Sequence, residues 1–98
     1  MSRKFDETVA KIRERLQQGR VILTERIRAG RRRQISVGPY RTAVGPRQYA
    51  LCAFPALPSH ADCREYRSAD RAAREFVRLV GVDEAREALL RESRKRYG

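Results

Sequence analysis

The sequence predicts an α+β fold: an N-terminal helix, an antiparallel sheet of three or four short strands, and two C-terminal helices packed on one face of the sheet. Near both ends of the chain, apolar residues recur at spacings of three and four, which is typical of amphipathic helices. In between, apolar residues alternate or form one short run, which is typical of strands. With 98 residues, 41% of them hydrophobic, we expect one domain over residues 1–98 with a modest core.

Each predicted helix has a start or stop signal. The first has an apolar face and ends at Gly19, a residue typical of C-caps; that face consists of Phe5, Val9, Ile12 and Leu16. Ser68 is expected to cap the second helix, Gly81 to end it, and Asp83 to cap the third. The alanine-rich second helix is expected to pack on its own sheet rather than on another copy, since so small a domain needs it for its core.

The first two strands are expected to form a hairpin across Ala29-Gly30, running over residues 20–28 and 31–37 and ending at Gly38-Pro39. A two-residue turn would place Arg26 on one face with Arg33 and Ile35, mixing apolar and charged side chains. A longer loop, of three or five residues, avoids this mixing and is therefore predicted. It sets Leu23 opposite Val37 on the core side, and Thr24, Arg26 and Arg28 opposite Ser36, Gln34 and Arg32 on a polar open side. Glu25 then falls on the apolar side, which requires an edge position or a bulge.

The third predicted strand is the nearly continuous apolar run from Gln48 to Phe54. Such a run suits a central strand covered on both faces. Tyr49 and Cys52 are accordingly expected in the core. A short fourth strand is predicted from Cys63 to Arg67.

Charge is the strongest indication of function. The chain has 23 Lys and Arg against 12 Asp and Glu, a net charge of +11, which favours a polyanionic partner. Arginine accounts for 20 of these cations, and its guanidinium group binds phosphate oxygens in bidentate fashion. The 36 residues between Glu25 and Asp62 contain seven arginines and no carboxylate. Because a merely solubilising surface has no need to exclude carboxylates, this segment is expected to contact phosphates.

We therefore predict a small, non-enzymatic nucleic-acid-binding protein, with duplex DNA slightly favoured over RNA. This hypothesis requires the guanidinium groups to lie together on the open side of the hairpin. Tyr40 stands next to a Gly-Pro turn and is expected either to stack on an unpaired base or to pack in the core. The predicted contacts are Arg26, Arg28, Arg31, Arg32, Arg33, Gln34, Tyr40, Arg41 and Arg47.

Two other functions stay open. The basic patch would serve equally well for an accessory or inhibitor protein, of the kind a phage or mobile element encodes, that docks on an acidic surface of a nucleic-acid-processing protein. A small basic ribonuclease using Tyr97 and nearby arginines is the third alternative. It is disfavoured because the chain has one histidine and no recognisable catalytic motif, so no enzyme and no cofactor are expected.

Cys52, His60 and Cys63 are the soft metal-ligand candidates, but a structural zinc site needs four ligands, so no metal is expected. The chain shows neither an apolar leader at its N-terminus nor the ~18-residue apolar run of a membrane span. These observations favour a cytoplasmic location without membrane association. A disulfide between Cys52 and Cys63 is accordingly not expected, because the cytosol keeps thiols reduced. No oligomeric state is predicted.

Two resemblances concern the fold. The order of helix, three-stranded sheet and closing helix resembles double-stranded RNA-binding domains, with Ser68, Ala69, Asp70 and Arg71 standing where those domains place a lysine cluster. The stretch from Arg64 to Ala73 is similar to the last strand and helix start of integrase arm-binding and plant AP2-type domains. The second resemblance implies that a three-stranded sheet enters the DNA major groove.

Overall fold

The computed structural model confirms the α+β fold and its order of elements. It describes the backbone of residues 3–40, 48–57 and 60–97, and their side chains except for residues 26–28, 31, 55–57, 60–62 and 95–97. The elements are α1 (Arg3–Gln17), β1 (Ile22–Arg28), β2 (Arg31–Tyr40), β3 (Gln48–Leu57), β4 (His60–Tyr66), α2 (Ala69–Val80) and α3 (Val82–Tyr97). The four strands form one antiparallel sheet in the order β1-β2-β3-β4.

The three helices pack on one face of the sheet, which we call the helix-side face; the other is the open face. The core between the layers includes Ile12 and Leu16 of α1, Phe76 of α2, and Ile22 and Val37 of the sheet, each with 0% of its surface exposed. Burial of each such side chain contributes roughly 1.5–3 kcal/mol to folding. Helix α2 buries its alanine-rich side in this core, so the prediction that it packs on its own sheet is confirmed.

The ends of α2 match their predicted signals, whereas the start of α3 does not. The hydroxyl of Ser68 accepts a hydrogen bond from the Arg71 backbone N–H at 3.3 Å. Gly81 ends α2 with φ at 92°, and its N–H donates to the Val77 carbonyl at 2.8 Å. The Gly81 carbonyl also accepts the Ala85 N–H, and α3 begins at Val82, two residues earlier than a cap at Asp83 predicts. The prediction that Asp83 caps α3 is wrong; Asp83 lies in the first turn, where a carboxylate still favours the helix dipole.

The first hairpin has a tighter turn than the sequence analysis predicts. Arg28 lies opposite Arg31, Arg26 opposite Arg33, and Ile22 opposite Val37. Ala29 and Gly30 alone connect the strands, with φ values of 51° and 75°. Positive φ at both positions is typical of a type I′ turn, whose twist matches that of paired strands. The longer loop and its register are therefore wrong, and every residue of β1 has its partner shifted by one position.

The corrected register exchanges the two faces of β1. Leu23 lies on the open face, 36% exposed, and Ile22 takes the core position that the longer loop assigned to Leu23. Glu25 also lies on the open face, where its carboxylate contacts the Arg32 guanidinium at 2.6 Å. No bulge is needed at Glu25, because the carboxylate never faces the core. Strand β2 also continues through Gly38-Pro39 to Tyr40 instead of ending at that dipeptide.

Strand β3 is interior in the sheet, but helices cover only one of its faces. Tyr49 and Leu51 are buried on the helix-side face, which confirms the core assignment of Tyr49. Cys52 is half-buried on the open face, not in the core, and forms a disulfide with Cys63. The two cysteines are direct partners across β3 and β4 with their Cα atoms 4.1 Å apart. The expectation of reduced cysteines is therefore wrong, because strand pairing that the sequence spacing does not reveal brings them together.

Candidate nucleic-acid interface

The open face is not the acid-free cationic surface that the sequence analysis predicts. Its described charged residues include Glu25, Arg32 and Glu65, and the Arg32 guanidinium is held by the Glu25 carboxylate. Glu65 reaches this face from β4, opposite Ala50. The prediction fails because the carboxylate-free segment is continuous only along the chain. Pairing in the sheet sets glutamates from its edges beside it.

The arginine-rich end of the hairpin lies instead on the helix-side face. Buried Thr24 and Ile35 form the last core pair along β1 and β2, and the Thr24 hydroxyl donates to the Ile35 carbonyl at 3.4 Å. The next pairs on the same face are Arg26 with Arg33 and Arg28 with Arg31. Like charges directly opposite each other destabilise a sheet. Along this one face, the hairpin therefore passes from core residues to two successive pairs of arginine positions.

This end of the hairpin borders a groove between the sheet and α2, with a volume of about 470 Å³. We call it the cationic groove. Three strands and one helix supply its lining: Arg33, Leu51, Cys52, Ala53, Arg64, Tyr66, Glu75, Arg78 and Leu79. Arg33, Arg64 and Arg78 are exposed, and the single carboxylate in this lining, Glu75, contacts the Arg78 guanidinium at 2.9 Å. The groove thus combines guanidinium groups with apolar walls.

Arg33 and Arg64 differ from several arginines of the helix layer in having no ion pair with a described residue. Asp70 holds both Arg13, at 3.1 Å, and Arg74, at 3.2 Å. Glu92 similarly holds Arg15 and Arg20 at 3.2 and 3.4 Å, with 14% of its side chain exposed. The pairs Arg13–Asp70 and Arg15–Glu92 join α1 to α2 and α3, and the pair Arg20–Glu92 joins the segment before β1 to α3. The guanidinium groups of these four arginines are committed to the fold, whereas no described carboxylate pairs with Arg33 or Arg64.

The predicted contact residues separate into three groups. Arg33 lines the cationic groove, and the register places Arg26, Arg28 and Arg31 on the same sheet face. Arg32, Gln34 and Tyr40 lie on the open face and are not brought to the groove. Arg41 and Arg47 lie outside the described residues.

Sequence reasoning missed Arg64 and Arg78, which complete the groove. Arg64 lies between Cys63 and Glu65 on β4, and Arg78 belongs to the amphipathic helix α2. Neither belongs to the carboxylate-free segment, so no local charge pattern indicates them. The spacing of each residue relative to a neighbour is nevertheless visible in the sequence. Arg64 precedes Tyr66 by two residues, which places both on one face of a strand, and Arg78 follows Glu75 by three, which places both on one face of a helix.

Tyr40 belongs to a polar cluster on the open face. Its hydroxyl donates to Gln48 Oε1 at 2.7 Å, and its side chain is half-buried. Desolvation, followed by a hydrogen bond with Glu65 and that carboxylate's charge, raises the pKa of Tyr40 above its usual value. The hydroxyl therefore contacts neighbouring polar groups on the open face, whereas the groove lies on the helix-side face.

No family model, curated protein or solved structure matches this chain. The resemblance to integrase arm-binding and AP2-type domains implies DNA contact through the exposed sheet. Here the sheet has four strands, and its open face carries charges of both signs.

The described residues offer neither a metal site nor a membrane-spanning helix. The disulfide takes up both thiolates that a zinc site at Cys52 and Cys63 would need. Within the described residues, no three His, Cys, Asp or Glu side chains gather as a metal-binding group. None of the described helices has both the length and the apolar character required to span a bilayer.

Proposed function

We propose that this chain is a non-enzymatic nucleic-acid-binding protein that contacts phosphates in the cationic groove and along the adjoining end of the first hairpin. The observation that carries the proposal is the register that sets Arg26 opposite Arg33 and Arg28 opposite Arg31. Two successive like-charge pairs cost stability in the free protein. An anion between the paired arginines replaces their repulsion by charge-assisted hydrogen bonds. Binding of a polyanionic ligand therefore gives a reason for an arrangement that destabilises the free protein.

Strand geometry makes this cationic group compact. Successive pairs on one face of a strand are about 6.6–6.8 Å apart, and directly opposite Cα atoms are about 4.5–5.5 Å apart. Arg33 connects the four hairpin positions to Arg64 and Arg78 across the groove. A nucleic-acid backbone presents closely spaced negative charges, and their neutralisation releases counterions. The density of cationic positions therefore suits a polyphosphate better than a single carboxylate.

The test compares two variants of equal charge. One replaces Arg33, Arg64 and Arg78 by alanine in the groove; the other replaces Lys11, Arg86 and Arg94, which are exposed on α1 and α3. Binding of fluorescent DNA and RNA oligonucleotides is measured between about 50 and about 200 mM salt. The groove variant should lose affinity, and its salt slope should fall by about 0.7–0.9 for each phosphate contact removed. The control variant should retain most of the affinity and slope.

Equal losses in both variants would show that only net charge matters and would overturn the groove as the site. Absence of binding to any DNA or RNA at low salt would overturn the proposal itself. In that case docking of the basic surface on an acidic protein becomes the favoured function, because the same electrostatic steering serves it.

The cytoplasmic location expected from the sequence stays a prediction. The Cys52–Cys63 disulfide counts against it, since disulfides are uncommon in the cytosol. Trapping free thiols in intact cells, followed by mass spectrometry, would decide the question: alkylated Cys52 and Cys63 support a cytoplasmic location, and an unmodified disulfide contradicts it.

A further inference from the structure

We infer that the cationic groove accepts an unpaired nucleotide, with its base against Tyr66 and Leu79 and its phosphates on Arg33 and Arg64. This inference rests on the proposed function and names the ligand class as single-stranded nucleic acid. It departs from the preference for duplex DNA that the sequence analysis favours.

The first support is the mixed lining of the groove. Guanidinium groups share it with Leu51, Ala53, Tyr66 and Leu79. Leu79 leaves 50% of its surface exposed on α2 in the free protein. Phosphates of a duplex need cationic partners but make no use of apolar walls. An unpaired base has an apolar face that such walls can cover, and bases of single strands stack on aromatic side chains in this way.

The second support is the anchoring of Tyr66. It is half-buried on β4, lies opposite the buried Tyr49, and packs against the hydrophobic core while also lining the groove. A ring held by the core has few conformations to lose when a ligand binds. Tyr66 thus provides a preformed surface, and Leu79 faces the same groove from α2.

The size of the groove agrees with this ligand. Its volume of about 470 Å³ falls in the range of ~300–1,000 Å³ typical of small-molecule sites. A phosphate alone would leave the apolar walls in water. Drawing a base out of a duplex costs its pairing and stacking energy, whereas a base in a single strand is already accessible. The groove should therefore prefer single-stranded over duplex nucleic acid of the same sequence.

The experiment separates base contacts from phosphate contacts. Tyr66→Leu removes the aromatic ring and Leu79→Gln removes an apolar side chain, neither with a change of charge. Tyr66→Phe keeps the ring, and Leu90→Gln alters a similarly exposed leucine of α3 as a matched control. Affinity for a fluorescent single-stranded oligonucleotide and for its duplex is measured over a range of salt concentrations. Thermal unfolding shows whether each variant is folded. If Tyr66→Leu does not fold, Leu79→Gln still tests the inference, because it replaces an exposed side chain.

We expect Tyr66→Leu and Leu79→Gln each to weaken single-strand binding by about 5- to 100-fold, with the salt slope unchanged. Tyr66→Phe, which keeps the ring, should retain more of the affinity than Tyr66→Leu, and Leu90→Gln should bind as the wild type does. Equal affinity for single strand and duplex, or unchanged binding by both Tyr66→Leu and Leu79→Gln, would overturn the inference. If the arginine variants still weaken binding in that case, the proposed function stands; if no nucleic acid binds, both fail together.

Discussion

Arg26 lies directly opposite Arg33 across the first hairpin, immediately after the buried pair of Thr24 and Ile35 on the same sheet face. One face of a two-stranded ribbon thus serves first as a wall of the core and then as a cationic surface. The change occurs within a single step along each strand. It allows the hairpin to be anchored by the helices at one end and to present charge at the other.

The first prediction concerns the cost of this arrangement. Arg33→Glu places a carboxylate opposite Arg26, in the groove that Arg64 also lines, and replaces the repulsion across the hairpin by attraction. We expect the free energy of unfolding to rise by about 0.2–1 kcal/mol, with the larger gain at low salt. Nucleic-acid binding should weaken in the same variant. Urea unfolding at two salt concentrations, together with the oligonucleotide assay, measures both effects. Arg94→Glu on α3 is the control, and a loss of stability in Arg33→Glu at low salt would contradict the prediction.

The second prediction concerns the turn that sets the register. Ala29 has φ at 51°, a conformation that costs alanine roughly 1–2 kcal/mol, and type I′ turns favour Asn-Gly. Ala29→Asn should raise the free energy of unfolding by about 0.5–1 kcal/mol. Gly30→Ala should lower it by about 1 kcal/mol, although the added methyl group meets no atom within 4 Å, because φ is 75° there. Chemical denaturation compares the two variants, and effects of the same sign would contradict the turn type.

The third prediction concerns the disulfide. It joins β3 to the edge strand β4 over a sequence separation of 11 residues. Closing a loop of this size is expected to stabilise the fold by about 2–3 kcal/mol, so reduction by a dithiol should lower the free energy of unfolding by that amount. Hydrogen exchange should increase most in β4, which carries Arg64 and Tyr66 of the groove. The double variant Cys52→Ala/Cys63→Ala should be as unstable as the reduced protein and insensitive to the dithiol. A wild-type unfolding midpoint that reductant does not move would count against the prediction.

The fourth prediction concerns Tyr40 and pH. Its pKa is raised in the folded protein, chiefly by desolvation and then by Glu65. When the pH rises above about 10, the unfolded chain loses this proton first. Stability from Tyr40 is therefore complete below that pH and declines as the pH rises through the folded pKa. Absorbance titration of tyrosinate should show a late-ionising group that Tyr40→Phe removes and Glu65→Gln moves to lower pH. Since Tyr40 lies on the open face, Tyr40→Phe should leave nucleic-acid binding unchanged; weaker binding would place the site there instead.

Local patterns in the sequence determined the secondary structure and the fold class. The apolar spacing of α1, the Ser68 cap and the Gly81 stop depend on neighbouring residues only, and each has the expected effect. The abundance of arginine and the carboxylate-free segment likewise indicate a cationic surface from composition alone. These features depend on residues that are close together in the chain, so they can be read directly from the amino-acid sequence.

Only the tertiary structure decided which side of the sheet carries the cations and what lies beside them. The two-residue turn moves Arg26 to the helix-side face, opposite Arg33, because a shift of one position in register moves every side chain of β1 to the other face of the sheet. Pairing of β3 with β4 joins Cys52 to Cys63 and brings Arg64 to the groove, and the packing of α2 adds Arg78. These residues are far apart in the chain, and their proximity depends on strand order and helix packing. The cationic groove is therefore a property of the assembled fold, while its abundance of arginine is a property of the sequence.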